Sequence, residues 1–321
     1  MKKLLLLLLF FTGIANAQVM PFGMMPSSEV TNAPTNVTAR AGDTQATVTF
    51  TAPANDGGSE ITGYTATSSP GAFTGTLDQA AGGSITVSGL TNGTAYTFTV
   101  TAINSLSIGV ASAASNPVTP YQVPSVTSST GQIWMDRNLG ATQVATSSTD
   151  YASYGDLYQW GRGTDGHQIR TSEAKNRPTR STSPSWYGLP GTYFIKNNEN
   201  WYIGTDPDNL WQGVNGINNP CPSGYRLPTQ AEWQAERATW STNDAAGAFA
   251  SPLKLPLAGS RITTQGEVKW ENTNGYYWSQ TVWATYSASS NFSSSYTETS
   301  YRWRGSGSSV RCIKEVTAPD H

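Results

Sequence analysis

The sequence predicts a signal peptide, then an all-β sandwich, and then a larger α+β domain. Three observations predict this order: an apolar run at the N-terminus, short alternating strands up to residue 120, and tryptophans only after that point. All 11 tryptophans lie between Trp134 and Trp303. Such a step in composition marks a domain boundary, and the Pro- and Ser-rich residues 121–130 are the predicted linker.

The N-terminus has the pattern of a secretory leader. Lys2 and Lys3 precede an unbroken apolar run over residues 4–11, and Ala15-Asn16-Ala17 is a small-residue cleavage site. The run is shorter than a spanning helix needs, although an uncleaved membrane anchor is the alternative. We therefore predict a signal peptide over residues 1–17, a linker over 18–30, and a secreted or outer cell-surface protein.

The charge balance argues against nucleic-acid binding. The chain has 19 Lys and Arg against 21 Asp and Glu, a net charge of −2 that becomes −4 once Lys2 and Lys3 are removed. A nucleic-acid partner would require a basic stripe, which is not visible. The 11% of aromatic residues supplies material for a folded core and argues against a disordered chain.

Residues 31–120 show the two-residue periodicity of half-buried strands. Val48 and Phe50 share one strand face, a turn signal follows at residues 55–58, and further strands are predicted at 84–87 and 96–104. Several short strands separated by turns are typical of a β-sandwich.

This segment resembles a fibronectin type III domain. The resemblance rests on Pro34, Ala52-Pro53, Tyr64 and the block Leu90-x-x-Gly93-Thr94-x-Tyr96-x-Phe98-x-Val100-x-Ala102-x-Asn104. It implies that Tyr96 is the tyrosine-corner residue, with its hydroxyl bonded to backbone near Leu90. Phe50 stands where the family usually has a core tryptophan. The resemblance favours a spacer function for this domain.

Residues 131–316 contain the clearest helix signal. Thr229 and Glu232 have capping-box spacing, which predicts a helix over about residues 230–240. Trp233 and Arg237 lie on one face of it. Short strands are predicted within residues 132–140, 253–261, 275–279 and 309–313, and residues 317–321 form a tail.

This domain resembles the Fibrobacter succinogenes major paralogous domain, a family that occurs in repeated copies in Bacteroidetes and Fibrobacter. The matching blocks lie at residues 134–141, 154–162, 221–229, 255–261, 277–279 and 310–313. The block over residues 225–233 is also similar to one in formylglycine-generating (sulfatase-modifying) enzymes. That similarity implies a C-type-lectin-like fold, with a helix on a twisted antiparallel sheet and long loops that carry the ligand site.

The two cysteines, Cys221 and Cys312, are predicted to form a disulfide because the protein is expected to be exported. Closing a loop of about 90 residues would add about 4–5 kcal/mol of stability in the chain-entropy model. A reactive free thiol at Cys312 is the alternative. The formylglycine-generating enzymes need a late pair of reactive cysteines, which this chain lacks. We therefore predict no enzyme activity and no catalytic residues.

Metal and cofactor sites have little support in the sequence. His167 and His321 have no partner at ligand spacing. A calcium ion at Asp206, Asp208 and Asn209 is the remaining possibility, because Ca²⁺ prefers oxygen ligands from such loops. We otherwise expect no cofactor.

The surplus of aromatic residues is the positive functional signal. Aromatic faces stack on sugar rings, and neighbouring polar groups bond sugar hydroxyls. The predicted ligand-binding cluster consists of Trp201, Tyr202, Asp206, Asp208 and Trp211. Other loop aromatics expected to be exposed are Trp186, Tyr187, Trp283 and Trp303, and the alternative for each ring is a place in the core.

We therefore predict a non-catalytic binding protein with extracellular polysaccharide or glycan as its partner. The first alternative is a structural or protein-binding envelope component. The second is an enzyme related to the formylglycine-generating family.

Overall fold

The structure, a computed structural model, describes residues 31–176, 192–197, 199–201 and 208–315. The predicted signal peptide, the linker at 18–30 and the tail at 317–321 lie outside these residues. Within them, no helix has both the length and the apolar character needed to cross a membrane.

The N-terminal region is a sandwich of two three-stranded antiparallel sheets. Its strands are β1 (Thr35–Ala41), β2 (Gln45–Thr51), β3 (Ile61–Ser69), β4 (Thr74–Leu77), β5 (Gly83–Ser88) and β6 (Thr97–Asn104). One sheet has the order β1-β2-β5 and the other β4-β3-β6. Val48, Phe98 and Val100 are buried between the sheets, as the period-two pattern predicts.

Two aromatic residues confirm the details expected of this sandwich. The backbone N–H of Thr91 donates to the Tyr96 hydroxyl at 3.1 Å, which is the predicted tyrosine-corner contact. Phe50 packs on Tyr64 with ring centroids 4.6 Å apart. A phenyl ring therefore fills the core at this position.

The C-terminal region is built from small sheets and two short helices. Before the helices come β7 (Ser125–Thr127), β8 (Ile133–Met135), a 3₁₀ turn (Tyr151–Ser153), β9 (Tyr158–Gln159), β10 (Ala174–Asn176), β11 (Phe194–Lys196) and β12 (Tyr225–Arg226). The helices are α1 (Gln230–Arg237) and α2 (Ala245–Ala250). After them come β13 (Ala258–Arg261), β14 (Val268–Glu271), β15 (Asn274–Trp283), β16 (Tyr286–Ser293), β17 (Thr297–Trp303), β18 (Gly307–Ser308) and β19 (Ile313–Lys314).

The longest strands of this region form one sheet. Its order is β17-β16-β15-β13-β18-β9, and β14 pairs with β13. A second sheet has the order β12-β19-β8-β7, while β10 and β11 form a parallel pair. Strand β17 stands at one end of the main sheet, so this end contributes the surface discussed below.

Helix α1 begins with the capping box that the sequence predicts. The Thr229 hydroxyl accepts from the backbone N–H of Glu232, whose carboxylate accepts in turn from the N–H of Thr229. The helix anchors itself through Trp233, whose ring centroid lies 4.9 Å from that of Trp134 and 5.6 Å from that of Tyr277. Apolar contact on one face therefore holds a helix of only eight residues.

The structure corrects several predicted boundaries. Helix α1 ends at Arg237, before the predicted end at residue 240. Strand β7 lies inside the predicted linker and pairs with β8, so residues 125–127 of that linker belong to a sheet. Of the strand predicted at 253–261, only residues 258–261 form a strand. Of the strand predicted at 309–313, only Ile313 belongs to a strand, β19. Strands β16 and β17 were not predicted.

The two regions meet at the turn between β1 and β2. Gly42 forms a parallel bridge with Ser223, and the backbone N–H of Ser223 donates to Ala41 at 3.0 Å. The hydroxyls of Thr47 and Ser223 lie 2.8 Å apart. A Cβ atom at Gly42 would lie 2.4 Å from the Ser223 carbonyl oxygen, so only glycine allows this approach.

Arg40 extends the same contact. Its guanidinium donates to the carbonyl of Val214 at 3.1 Å and to that of Asn219. Burial lowers the pKa of Arg40 to about 10, although Tyr121 opposes this change. A cationic side chain on the sandwich thus satisfies carbonyl groups of the C-terminal region.

Candidate functional site

The structure places Trp201 and Trp211 in the core. Their side chains are 4% and 0% exposed. The indole N–H of Trp201 donates to the carbonyl of Trp160 at 2.6 Å, and that of Trp211 donates to the carbonyl of Arg162 at 3.1 Å. This burial corrects the prediction that both rings face a ligand, because a buried ring has no free face for stacking.

The remaining members of the predicted cluster are not brought together by any described contact. Tyr202 and Asp206 lie outside the described residues, as do Trp186 and Tyr187. The Asp208 carboxylate accepts from the guanidinium of Arg304 at 2.6 Å. In the described parts of the chain, no three His, Cys, Asp or Glu side chains are grouped for a metal ion. The calcium site at Asp206, Asp208 and Asn209 therefore stays a prediction.

Cys221 and Cys312 form the predicted disulfide, which closes a sequence separation of 91 residues. The structure contains no free cysteine, so the alternative of a reactive thiol at Cys312 is wrong. The bond joins the turn before β12 to the segment that leads into β19. It therefore holds together the second sheet and the turn that contacts the N-terminal sandwich.

A groove lies on one face of strands β15, β16 and β17, with a volume of about 520 Å³. Cross-strand register brings its polar residues together, because Asn291 pairs with both Tyr276 and Glu298. Side chains of paired residues share a face of the sheet. The residues that we call the groove residues are Trp270, Tyr276, Asn291, Tyr296, Glu298, Ser300 and Arg302. Tyr301 and Trp303 also line the groove, although their register assigns their side chains to the other face of the sheet.

Three aromatic rings border the groove. Trp270 and Tyr276 have ring centroids 5.8 Å apart, and Trp270 is 47% exposed. Tyr296 is 37% exposed, and its hydroxyl accepts from the amide of Asn274 at 3.2 Å. Trp270 and Tyr296 are therefore the rings that offer an exposed surface, whereas Tyr276 is only 8% exposed and supports them from below.

The backbone at Trp270 has an unusual conformation. Its φ of 60° lies in the left-handed region, which is strained for an aromatic residue. Such strain costs on the order of 1–3 kcal/mol and clusters at functional sites. The fold therefore keeps this ring beside the groove at a cost in stability.

Hydrogen bonds organise the polar floor of the groove. The Asn291 amide donates to the Glu298 carboxylate at 3.4 Å and to the Ser300 hydroxyl. The Arg302 guanidinium donates to the Ser260 hydroxyl at 2.6 Å and stacks 4.2 Å from the centroid of the Tyr276 ring. Burial raises the pKa of Tyr276, so its phenol remains neutral at physiological pH. Donors and acceptors thus stand beside aromatic surfaces.

The opposite face of the same strands carries a second aromatic cluster. Tyr286 pairs with both Trp283 and Trp303, and the ring centroids of Tyr286 and Trp303 lie 4.2 Å apart. Trp283 is 61% exposed, as predicted, whereas Trp303 is partly buried. Tyr301 completes this cluster at 5.4 Å from Trp283. Polar side chains are concentrated on the groove face instead.

Sequence reasoning missed the groove because its strands carry only a weak periodic signal. In β16, Ser287, Ser289 and Asn291 share one face, but Ser290 on the other face is polar as well. In β17, threonines likewise occupy the face opposite Glu298 and Ser300. Residues 286–303 were therefore not predicted as strands, and the polar face of a strand was not considered.

Comparison with known proteins identifies the N-terminal region. The family model of the fibronectin type III domain matches residues 32–130. A search of curated proteins finds no match to the chain.

Several solved structures share local similarity with the chain. Titin domains A168–A170 are 29% identical over 29% of this chain and 32% of that chain, with a TM-score of 0.26. The titin kinase with its flanking domains is 28% identical over 29% of this chain and 17% of that chain, with a TM-score of 0.25. Domains FN1–FN3 of chicken CNTN1 are 19% identical over 28% and 32% of the two chains, with a TM-score of 0.25.

The chain thus spans between 17% and 32% of the length of these three structures. The matched family model agrees with the two three-stranded sheets and with the Tyr96 contact described above. Residues 32–130 therefore contain a fibronectin type III domain.

Proposed function

We propose that the protein is a non-catalytic binding protein whose C-terminal region recognises polysaccharide or glycan in the groove. The observation that supports this proposal is the combination of Trp270, Tyr276 and Tyr296 with Asn291 and the neighbouring polar side chains. The fibronectin type III domain is a module of the protein-binding or structural class. This domain would act as a spacer between the C-terminal region and the surface to which the protein is attached.

The chemistry of the groove suits a saccharide. Sugar rings present C–H faces that pack on aromatic rings, and their hydroxyls both donate and accept hydrogen bonds. Asn291 and Ser300 supply both kinds of group, Glu298 accepts, and Arg302 donates. A volume of about 520 Å³ is within the range of small-ligand sites and accommodates a few sugar units.

The proposal includes the architecture and the location of the protein. The C-terminal region would have a C-type-lectin-like fold, related to the paralogous family and more distantly to the formylglycine-generating enzymes. With the leader at residues 1–17 removed, the protein would be secreted or held at the outer cell surface. Extracellular polysaccharide is accessible from either location.

Binding of the full chain to a panel of plant and microbial polysaccharides tests this proposal. Trp270→Ala and Tyr296→Ala should each weaken saccharide binding about ten-fold, since one aromatic contact contributes about 1 kcal/mol or more. Trp283→Ala is the matched control, because this exposed ring lies on the opposite face. The panel is repeated with calcium and with a chelator to test the loop that contains Asp208.

An unchanged affinity in both groove variants would overturn the groove as the binding site. Loss of affinity in Trp283→Ala alone would place the site on the aromatic cluster of the other face. Thermal unfolding of each variant separates a loss of binding from a loss of folding.

A protein-binding function is the second candidate, and an exposed apolar segment supports it. Leu106, Ile108 and Val110 follow β6 in the fibronectin type III domain, and each side chain is more than half exposed. The neighbouring residues Ser105 and Ser107 are small and polar. The three aliphatic side chains therefore form the apolar surface of this segment. A pull-down from envelope extracts that returns one stoichiometric partner, lost in Ile108→Ser, would favour this function.

A further inference from the structure

Arg302 has an unusual environment at the floor of the groove. It lies on β17, opposite Ser287, and its side chain is partly buried. One terminal nitrogen, Nη2, donates to Ser260 at 2.6 Å. The Nε atom is shielded from solvent and has no hydrogen-bond partner among the described residues. A shielded donor without an acceptor is costly, which marks this guanidinium as incompletely satisfied.

The second feature of Arg302 is its charge environment. Five other arginines of the C-terminal region form ion pairs: Arg137 with Asp136, Arg162 with Asp165, Arg170 with Glu271, Arg226 with Glu232, and Arg304 with Asp208. In the described residues, Arg302 makes no ion pair of this kind. Glu298 lines the same groove and interacts electrostatically with Arg302, but its carboxylate makes no direct ion pair with the guanidinium and accepts from the Asn291 amide.

A partly desolvated guanidinium without a directly bonded carboxylate favours an anionic group within reach of its free donors. Stacking on the Tyr276 ring holds the guanidinium plane in place without neutralising its charge. A carboxylate or a sulfate ester offers the acceptor geometry that a guanidinium binds best. The rings at the groove border would meanwhile pack against the sugar that carries the anionic group.

We propose that the groove selects acidic saccharides, and that Arg302 binds the carboxylate or sulfate group of the bound sugar. This inference rests on the proposed saccharide-binding function. It assigns Arg302 as the residue that determines specificity between charged and neutral sugars, whereas the aromatic border contributes affinity for both.

Calorimetric titration of the full chain with matched saccharides tests the inference. The probes are an oligogalacturonate, the same oligosaccharide as its methyl ester, and a sulfated galactan oligosaccharide. The free acid should bind about ten-fold more tightly than the ester, as expected for one charge-assisted hydrogen bond. Arg302→Gln should remove this difference, and Arg302→Lys should retain part of it. Stronger binding of the sulfated probe would assign the anion as a sulfate ester.

Arg237→Gln is the matched control. Arg237 is a partly buried arginine whose Nε also lacks a partner among the described residues, but it contacts Thr299 on the opposite face of β17. This variant should leave the preference for the acid unchanged. Equal affinity for the acid and its ester, or an unchanged preference in Arg302→Gln, would overturn the inference while leaving saccharide binding intact. Failure of all probes to bind would overturn the proposed function as well.

Discussion

His167 is a buried imidazole whose two nitrogens have different contacts. Its Nε2 atom accepts from the backbone N–H of Gln159 at 3.0 Å, so the ring proton resides on Nδ1, which contacts the Asp165 carboxylate. Protonation of Nε2 would break the bond from Gln159. Burial lowers the pKa of His167 to about 4, and the carboxylate of Asp165 offsets only part of this effect.

We expect the stability of the protein to decrease in acid because of His167. The unfolded chain takes up a proton near pH 6.5, whereas the native imidazole stays neutral until about pH 4. The contribution of the neutral His167 imidazole to the free energy of unfolding is therefore fully present above pH 6.5, and it is lost progressively as the pH falls toward 4. At about pH 5 the loss should be about 2 kcal/mol.

Urea unfolding at about pH 7.5 and about pH 5 measures this loss. The variant His167→Gln cannot titrate in this window, so its stability should depend less on pH by about the same 2 kcal/mol. An identical pH dependence in the variant and the original protein would contradict the assignment of a neutral native imidazole.

At the scale of the element, helix α1 depends on its first turn. The Thr229 hydroxyl accepts from the N–H of Glu232, and Glu232 also pairs with Arg226 at 2.8 Å. Arg226 in turn contacts Glu315 near the end of the described chain. The cap therefore connects the helix to the small sheet that contains β12 and β19.

We expect Thr229→Ala to lower the free energy of unfolding by about 1 kcal/mol, because it leaves a helix N–H without its side-chain acceptor. Thr229→Ser keeps the hydroxyl oxygen and should retain most of that stability. Urea unfolding of both variants measures the difference. If the two variants were equally stable, the hydroxyl contact would have no part in the stability of this helix.

The elements that the sequence predicted well have a strong local signal. The strand around Val48 and the strand from Thr97 combine alternation with large apolar side chains, and α1 has a capping box. Strands β16 and β17 were missed because serine and threonine occupy both of their faces, which is also typical of loops. Pairing of β16 with β15, and of β17 with β16, determines their conformation.

The candidate site was harder to predict for the same reason. Trp201 and Trp211 have the composition of a ligand surface, but composition does not distinguish an exposed ring from a core ring. The groove depends on Tyr276, Asn291 and Glu298 meeting across three strands. Only the register of the sheet brings these residues to one face, and that register is not visible in any local motif.

At the scale of the molecule, the contact between the two regions rests on polar groups. The Arg40 guanidinium, which donates to carbonyls of Val214 and Asn219, is its charged member. The hydroxyl pair of Thr47 and Ser223 stands beside it. Because the Arg40 guanidinium satisfies two carbonyl groups, its removal should weaken the contact between the regions.

We expect Arg40→Met to weaken the docking of the two regions by about 2 kcal/mol, since it leaves two carbonyls without a charged donor. Scanning calorimetry should then show the fibronectin type III domain unfolding separately and at a lower temperature. Arg137→Met is the control, because Arg137 pairs with the adjacent Asp136 within one region. A single unchanged transition in Arg40→Met would show that the contact does not couple the two regions.

The disulfide also determines how the protein responds to mechanical tension. A pull on the two ends of the chain passes through the covalent bond between Cys221 and Cys312, so the residues between them carry no load. Fully stretched, these 90 or so residues would add a length of about 300 Å. This length cannot be extended while the disulfide is intact. The groove residues, from Trp270 to Arg302, all belong to this shielded segment, so the surface would keep its shape under a force that extends the rest of the chain.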